Sequence, residues 1–98
     1  PYLLEPTDLD RAALHWACPL AKNKGQTTKT TMLWEHRSKG VWILFHKVGK
    51  AIECYADSSR EELEDTQAVL ACDGEPTYKP GDPEHAEIVA KLGLEVAS

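Results

Sequence analysis

The sequence predicts an α+β fold: a single domain over residues 1–98 with elements in the order α-β-β-β-α-α. In it a three-stranded antiparallel meander carries helices packed on one face. Two observations predict this. The stretch Thr31–Ala56 (TMLWEHRSKGVWILFHKVGKAIECYA) gathers most of the aromatic and β-branched side chains and is broken by glycine at Gly40 and Gly49. On either side of it, helix-capping patterns precede apolar residues at helical spacing.

Pro1–Pro6 (PYLLEP) is a short apolar lead whose Tyr2, Leu3 and Leu4 are expected to dock on the core. Thr7-x-x-Asp10 resembles a capping box and opens a first helix. Leu9, Ala12, Ala13, Trp16 and Leu20 form its apolar stripe, and Pro19 stops it. Residues 21–29 (AKNKGQTTK) are polar, basic and turn-rich, which reads as a surface loop.

The first strand of the meander is placed at Thr30–Arg37, the second at Val41–Val48, and the third ends at Ala56. Side chains alternate faces along a strand. A two-residue loop at Gly49-Lys50 pairs Val48 with Ala51 and Phe45 with Cys54. Ile43, Phe45, Ile52, Cys54 and Ala56 then form a core face, joined by Met32 and Trp34. The other face collects Leu33, Glu35, Arg37, Trp42, Leu44, His46, Glu53 and Tyr55, with His46 opposite Glu53. A bulge at Gly40 would exchange the faces of the first strand; the alternation favours the register without one.

Ser58-x-x-Glu61 and Ser59-x-x-Glu62 are capping-box patterns for a second helix that runs to about Cys72, burying Leu63, Val69 and Leu70, with Gly74 beyond its end. Residues 75–81 (EPTYKPG) read as a loop. Asp82-Pro83-Glu84 begins a third helix with an N-cap and a proline at its first position. Ile88, Val89 and Leu92 are its apolar stripe, and Gly93-Leu94 its stop.

Hydrophobic residues make up 42% of the chain and charged residues 28%, a balance that points to a globular protein. No apolar run is long enough to span a membrane, and no basic-then-apolar leader is present, so a cytoplasmic location is expected. Three cysteines, Cys18, Cys54 and Cys72, fit no complete disulfide framework and are expected as reduced, structural thiols. The net charge of −5 conceals two halves of opposite sign. Lys22–Lys50 holds seven basic residues against one acid, and Ala51–Ser98 three against twelve.

Four groups of residues invite a chemical reading. His15, Cys18, His36 and His46 are metal-ligand types, but His36 and His46 fall about 15 Å apart at opposite ends of a hairpin, so no metal and no cofactor is expected. His46 opposite Glu53 resembles a base oriented by a carboxylate, yet no serine or cysteine nucleophile stands beside it. Pro1 could act as a terminal secondary amine, a role outweighed by proline's frequency after a removed initiator. The α-β-β-β-α order resembles in outline that of double-stranded RNA-binding domains. Those put lysines at the start of the last helix to meet phosphates; here SSREELED stands there, and acids repel a phosphate backbone.

The expected function is therefore that of a small non-enzymatic protein-interaction module, an adaptor, inhibitor or regulatory subunit. Its contact face would be Leu33, Trp42, Leu44, His46 and Tyr55, too apolar for a plain wet surface. The partner is a different protein or a second copy in a homodimer. The alternative is a nucleic-acid-associated protein using Lys22–Lys50, and the third reading is a small enzyme built on His46 and Glu53.

Overall fold

The computed structural model describes residues 2–3, 29–48, 51–71 and 76–93, and of Tyr2, Leu3 and Ala51 the backbone alone. The expected first helix, the basic loop before Lys29, the Gly49-Lys50 connection, Cys72, Gly74 and Leu94 lie outside these residues, as do Pro1, His15 and Cys18.

Among the described residues there are five strands, β1 (Tyr2–Leu3), β2 (Lys29–His36), β3 (Val41–Val48), β4 (Ala51–Asp57) and β5 (Thr77–Tyr78), and two helices, α1 (Arg60–Leu70) and α2 (Pro83–Leu92). The strands make one sheet in the order β1-β4-β3-β2-β5. β2, β3 and β4 are the antiparallel meander, with Met32 opposite Phe45, Phe45 opposite Cys54, His46 opposite Glu53 and Val48 opposite Ala51. This is the register that alternation favours. A 3-10 turn at Arg37–Lys39 joins β2 to β3 and ends on Gly40 at φ 67°, a left-handed conformation that glycine adopts without a Cβ penalty. Gly40 therefore closes the turn and inserts no bulge.

Two features differ from the expected architecture. The sheet is mixed, because Thr77 and Tyr78 lie parallel to β2, beside Thr31 and Met32. The Thr31 N–H donates to the Pro76 carbonyl at 3.2 Å. Two residues between Pro76 and Pro80 carry too little pattern to read as a strand, and proline cannot extend the ladder. β1 adds a second short edge through Tyr2–Ala56 and Leu3–Tyr55.

The helices also do not share a face. α2 sends Val89, with Ile88 and Leu92 at its margin, onto Met32, Trp34, Ile43, Phe45 and Ala56. α1 sends Leu63, with Leu70, onto Leu33 and Leu44 on the opposite side. Both faces of the meander are apolar at their centre, and each such face must be buried against another element. One helix per face satisfies both.

The helix ends follow their capping chemistry. Ser59 Oγ accepts from the Glu62 N–H at 3.4 Å, and Gly93, at φ 68°, donates to the carbonyls of Val89 and Ala90. Asp82 takes the N-cap position of α2, but its carboxylate turns back to accept from the Lys79 N–H. α1 stops at Leu70, sooner than its sequence pattern implies, with Ala71 extended. Its inward stripe is Leu63, Gln67 and Leu70 at i, i+4 and i+7, with Leu63 and Gln67 buried and Leu70 partly so; Val69, expected inside, is 82% exposed because it falls off that stripe.

Candidate functional site

The α1 side of the sheet is ordered in rows of directly opposed residues. Glu35, Trp42 and Asp57 form one row; Leu33, Leu44 and Tyr55 the next; Thr31, His46 and Glu53 the third. All nine project to the same face, since paired residues do.

α1 covers the middle of this face. Leu33 and Leu44 are fully buried beneath Leu63, so these two of the five expected contact residues belong to the core. His46 is buried as well. Trp42 and Tyr55 remain partly exposed at the margin of the helix. The expected five-residue contact patch thus narrows to Trp42 and Tyr55 as surface groups.

Around Trp42 the structure adds a residue that the sequence gives no reason to single out. Arg60, at the start of α1, lays its guanidinium over the Trp42 ring, 5.1 Å from the centroid, and donates from Nε to Glu64 Oε1. The backbone reaches this position through Asp57, whose carboxylate accepts from the Ser59 N–H at 2.8 Å. That bond holds the Asp57 carboxyl below its ordinary range. Arg37 stands 3.8 Å from Glu35 on the other side of the row.

Around Tyr55 the arrangement is polar. The Tyr55 hydroxyl donates to Glu53 Oε2 at 2.6 Å, and this bond, followed by burial and the carboxylate's charge, raises the phenol's pKa. The same Glu53 oxygen is 3.7 Å from His46 Nδ1, too far for a hydrogen bond. Both ring nitrogens of His46 are enclosed, without a hydrogen-bond partner among the described residues. A general base must come within about 2.6–3.2 Å of the heavy atom whose proton it takes. The opposition of His46 and Glu53 is present, but the imidazole it would orient is shut away from solvent.

Behind these rows lies a buried polar link. Gln67 Nε2 donates to Thr31 Oγ1 at 3.0 Å and to the Tyr78 carbonyl at 3.3 Å, while Gln67 Oε1 and Thr30 Oγ1 are enclosed and have no partner among the described residues. On the α2 side, His85 Nε2 donates to the Leu33 carbonyl at 2.6 Å, which fixes the Nε2–H form. It satisfies the β2 edge just beyond the reach of β5. The i, i+4, i+7 spacing of Leu63, Gln67 and Leu70 is the signal that could have found Gln67; His85 has none.

The basic segment is divided among the described residues. Lys47 is buried, Lys29 sits at one end of β2, and Arg37 and Lys39 sit past the other. Eight residues of strand separate those ends by roughly 25 Å. His36 lies at the turn, its Nδ1 3.1 Å from Ser38 Oγ, far along the hairpin from His46.

Protein-family models, curated proteins and solved structures were all compared with the chain, and none matches. Among the described residues, no helix is long and apolar enough to cross a membrane.

Proposed function

We propose that the chain is a small protein-interaction module, an adaptor, inhibitor or regulatory subunit, that binds a protein through the uncovered part of the α1 face around Trp42 and Tyr55. The observation that carries this reading is the composition of that margin. Trp42 lies partly exposed under the exposed Arg60, and Tyr55 partly exposed one row along the same face, beside a helix that has already buried the aliphatic side chains of that face. Tryptophan, tyrosine and arginine are the three side chains most enriched among residues that dominate binding energy. The enclosed His46 ring supports a binding role over a catalytic one.

Affinity capture from the source cell, with wild type, Trp42→Ala and Val69→Asp as baits, tests it. Val69 is the control, exposed on the outer side of α1. A protein retained by wild type and Val69→Asp should be lost with Trp42→Ala, by about 30-fold if Trp42 contributes the ~2 kcal/mol of a dominant contact. Light scattering covers the case in which the partner is a second copy. If wild type is monomeric and holds nothing, or Trp42→Ala holds everything wild type does, the reading fails.

A further inference from the structure

We infer that the Trp42 ring is a seat for a cationic side chain of the partner, that the partner segment is basic and bears arginine, and that Arg60 occupies the seat in the free protein. This rests on the interaction reading above and gives its partner a chemistry.

The seat is built by the sheet. Trp42 has Glu35 directly opposite on one neighbouring strand and Asp57 on the other, so the indole is bracketed by two partly exposed carboxyl side chains on its own face. Side chains opposed in this way have Cβ atoms about 5 Å apart. A ring face offers negative potential to a cation, and the flanking carboxylates add to it, Glu35 sharing its charge with Arg37 at 3.8 Å and Asp57 accepting from the Ser59 N–H. Glu64 supplies a third carboxylate from α1, already bonded to the guanidinium on the ring.

Arg60 is a weakly committed occupant. Its side chain is 44% exposed. It stands at the first position of α1, where the helix dipole disfavours a positive charge. The capping residues around it, Ser59, Glu61 and Glu62, suit that end; Arg60 alone does not. Its placement is explained by Trp42 and Glu64. An arginine arriving on a partner brings the same contacts together with those of its flanking residues, and Arg60 is released to water near carboxylates. The occupant this favours is a basic segment of another protein, whose arginine takes the place of Arg60 between the Trp42 ring and the Glu64 carboxylate.

The test uses the full chain and a fluorescein-labelled octapeptide of alternating arginine and serine, with glutamine replacing arginine in a matched control peptide. Anisotropy reports affinity, and the Trp42 indole N–H resonance, assigned by its loss in Trp42→Phe, reports the site. The arginine peptide should bind, shift that resonance and displace the Arg60 side-chain resonance, while the glutamine peptide binds at least about tenfold more weakly. Trp42→Ala should abolish the specific component. Trp42→Phe keeps a ring and guards against misfolding; it should weaken binding several-fold.

Arg60→Ala gives the discriminating result. Removing a competitor should tighten binding by about two- to fivefold, the equivalent of an exposed cation–π contact. Lys91→Ala removes one positive charge from the other side of the sheet and should not tighten it comparably. Equal tightening in both variants, or weaker binding in Arg60→Ala, overturns the inference. A dimer by light scattering that is lost in Arg37→Ala/Lys39→Ala would assign the seat to a second copy and overturn the separate partner. Should the peptide leave the Trp42 resonance unmoved while Trp42→Ala still abolishes capture, this inference falls and the interaction reading stands. If neither responds, both fall.

Discussion

Leu63→Ala is the substitution that most directly measures whether α1 seals its face of the sheet. Leu63 is fully buried and meets Leu33 and Leu44, themselves fully buried on the central strands. Truncation removes three heavy atoms from a site walled by a hydrogen-bonded sheet, which has little freedom to collapse into the space. Leu-to-Ala changes cost about 2–5 kcal/mol, more where the cavity persists, so about 3–4 kcal/mol is expected here. A domain of this size has roughly 5–15 kcal/mol in total. The loss should lower the melting temperature by on the order of 12–30 °C, at about 4–8 °C per kcal/mol. Urea denaturation followed by circular dichroism gives the free energy, with Val69→Ala as the companion. Val69 is 82% exposed, and a change there should stay within about 0.5 kcal/mol. If Leu63→Ala costs under about 1 kcal/mol, or no more than Val69→Ala, α1 does not pack as described and the covered face must be reconsidered.

Two other outcomes are expected. The folded-state pKa of Tyr55 is raised by its bond to Glu53, so the stability from that bond is present below the ordinary phenol value of 10.0 and is lost as pH rises through the raised one. Ultraviolet titration should show two late-ionising tyrosines, Tyr78 being raised by its burial, of which one returns toward normal in Glu53→Ala; no change in that variant would sever the link. Replacing His85 with Phe keeps a ring but leaves the Leu33 carbonyl, now bonded at 2.6 Å, without its donor. A loss of about 1–3 kcal/mol is expected by urea denaturation, and a neutral result would show that water reaches that edge.

What the sequence made legible was local. The alternation in VWILFHKV and the spacing to Cys54 set which side chains share a face, and the structure pairs them accordingly. Ser59 and Gly93 announced their helix ends because capping is a short-range transaction between a side chain or a left-handed residue and backbone groups one turn away. The illegible parts are long-range. Thr77-Tyr78 becomes a strand only because the edge of β2 is there to receive it. The side of the sheet each helix covers depends on the path of the connection, not on the helix's own stripe. The contact face suffered from this: Leu33 and Leu44 are equally apolar whether a partner or α1 covers them. Arg60 reads as one more charge in SSREELED until the fold brings it over Trp42.

The pair of hydrogen bonds donated by Gln67 bears on how this molecule opens. A two-residue edge strand would ordinarily fray independently of everything beyond it. Here one amide group ties Thr31 on β2 and the Tyr78 carbonyl on β5 to α1, in a place closed to water. Peeling β5 away strands a buried donor unless α1 lifts too, and lifting α1 uncovers Leu33 and Leu44. The parallel edge and the helix across the sheet should therefore open as one cooperative unit in native-state exchange, with the backbone amides of β5 protected to the same depth as those of the helix.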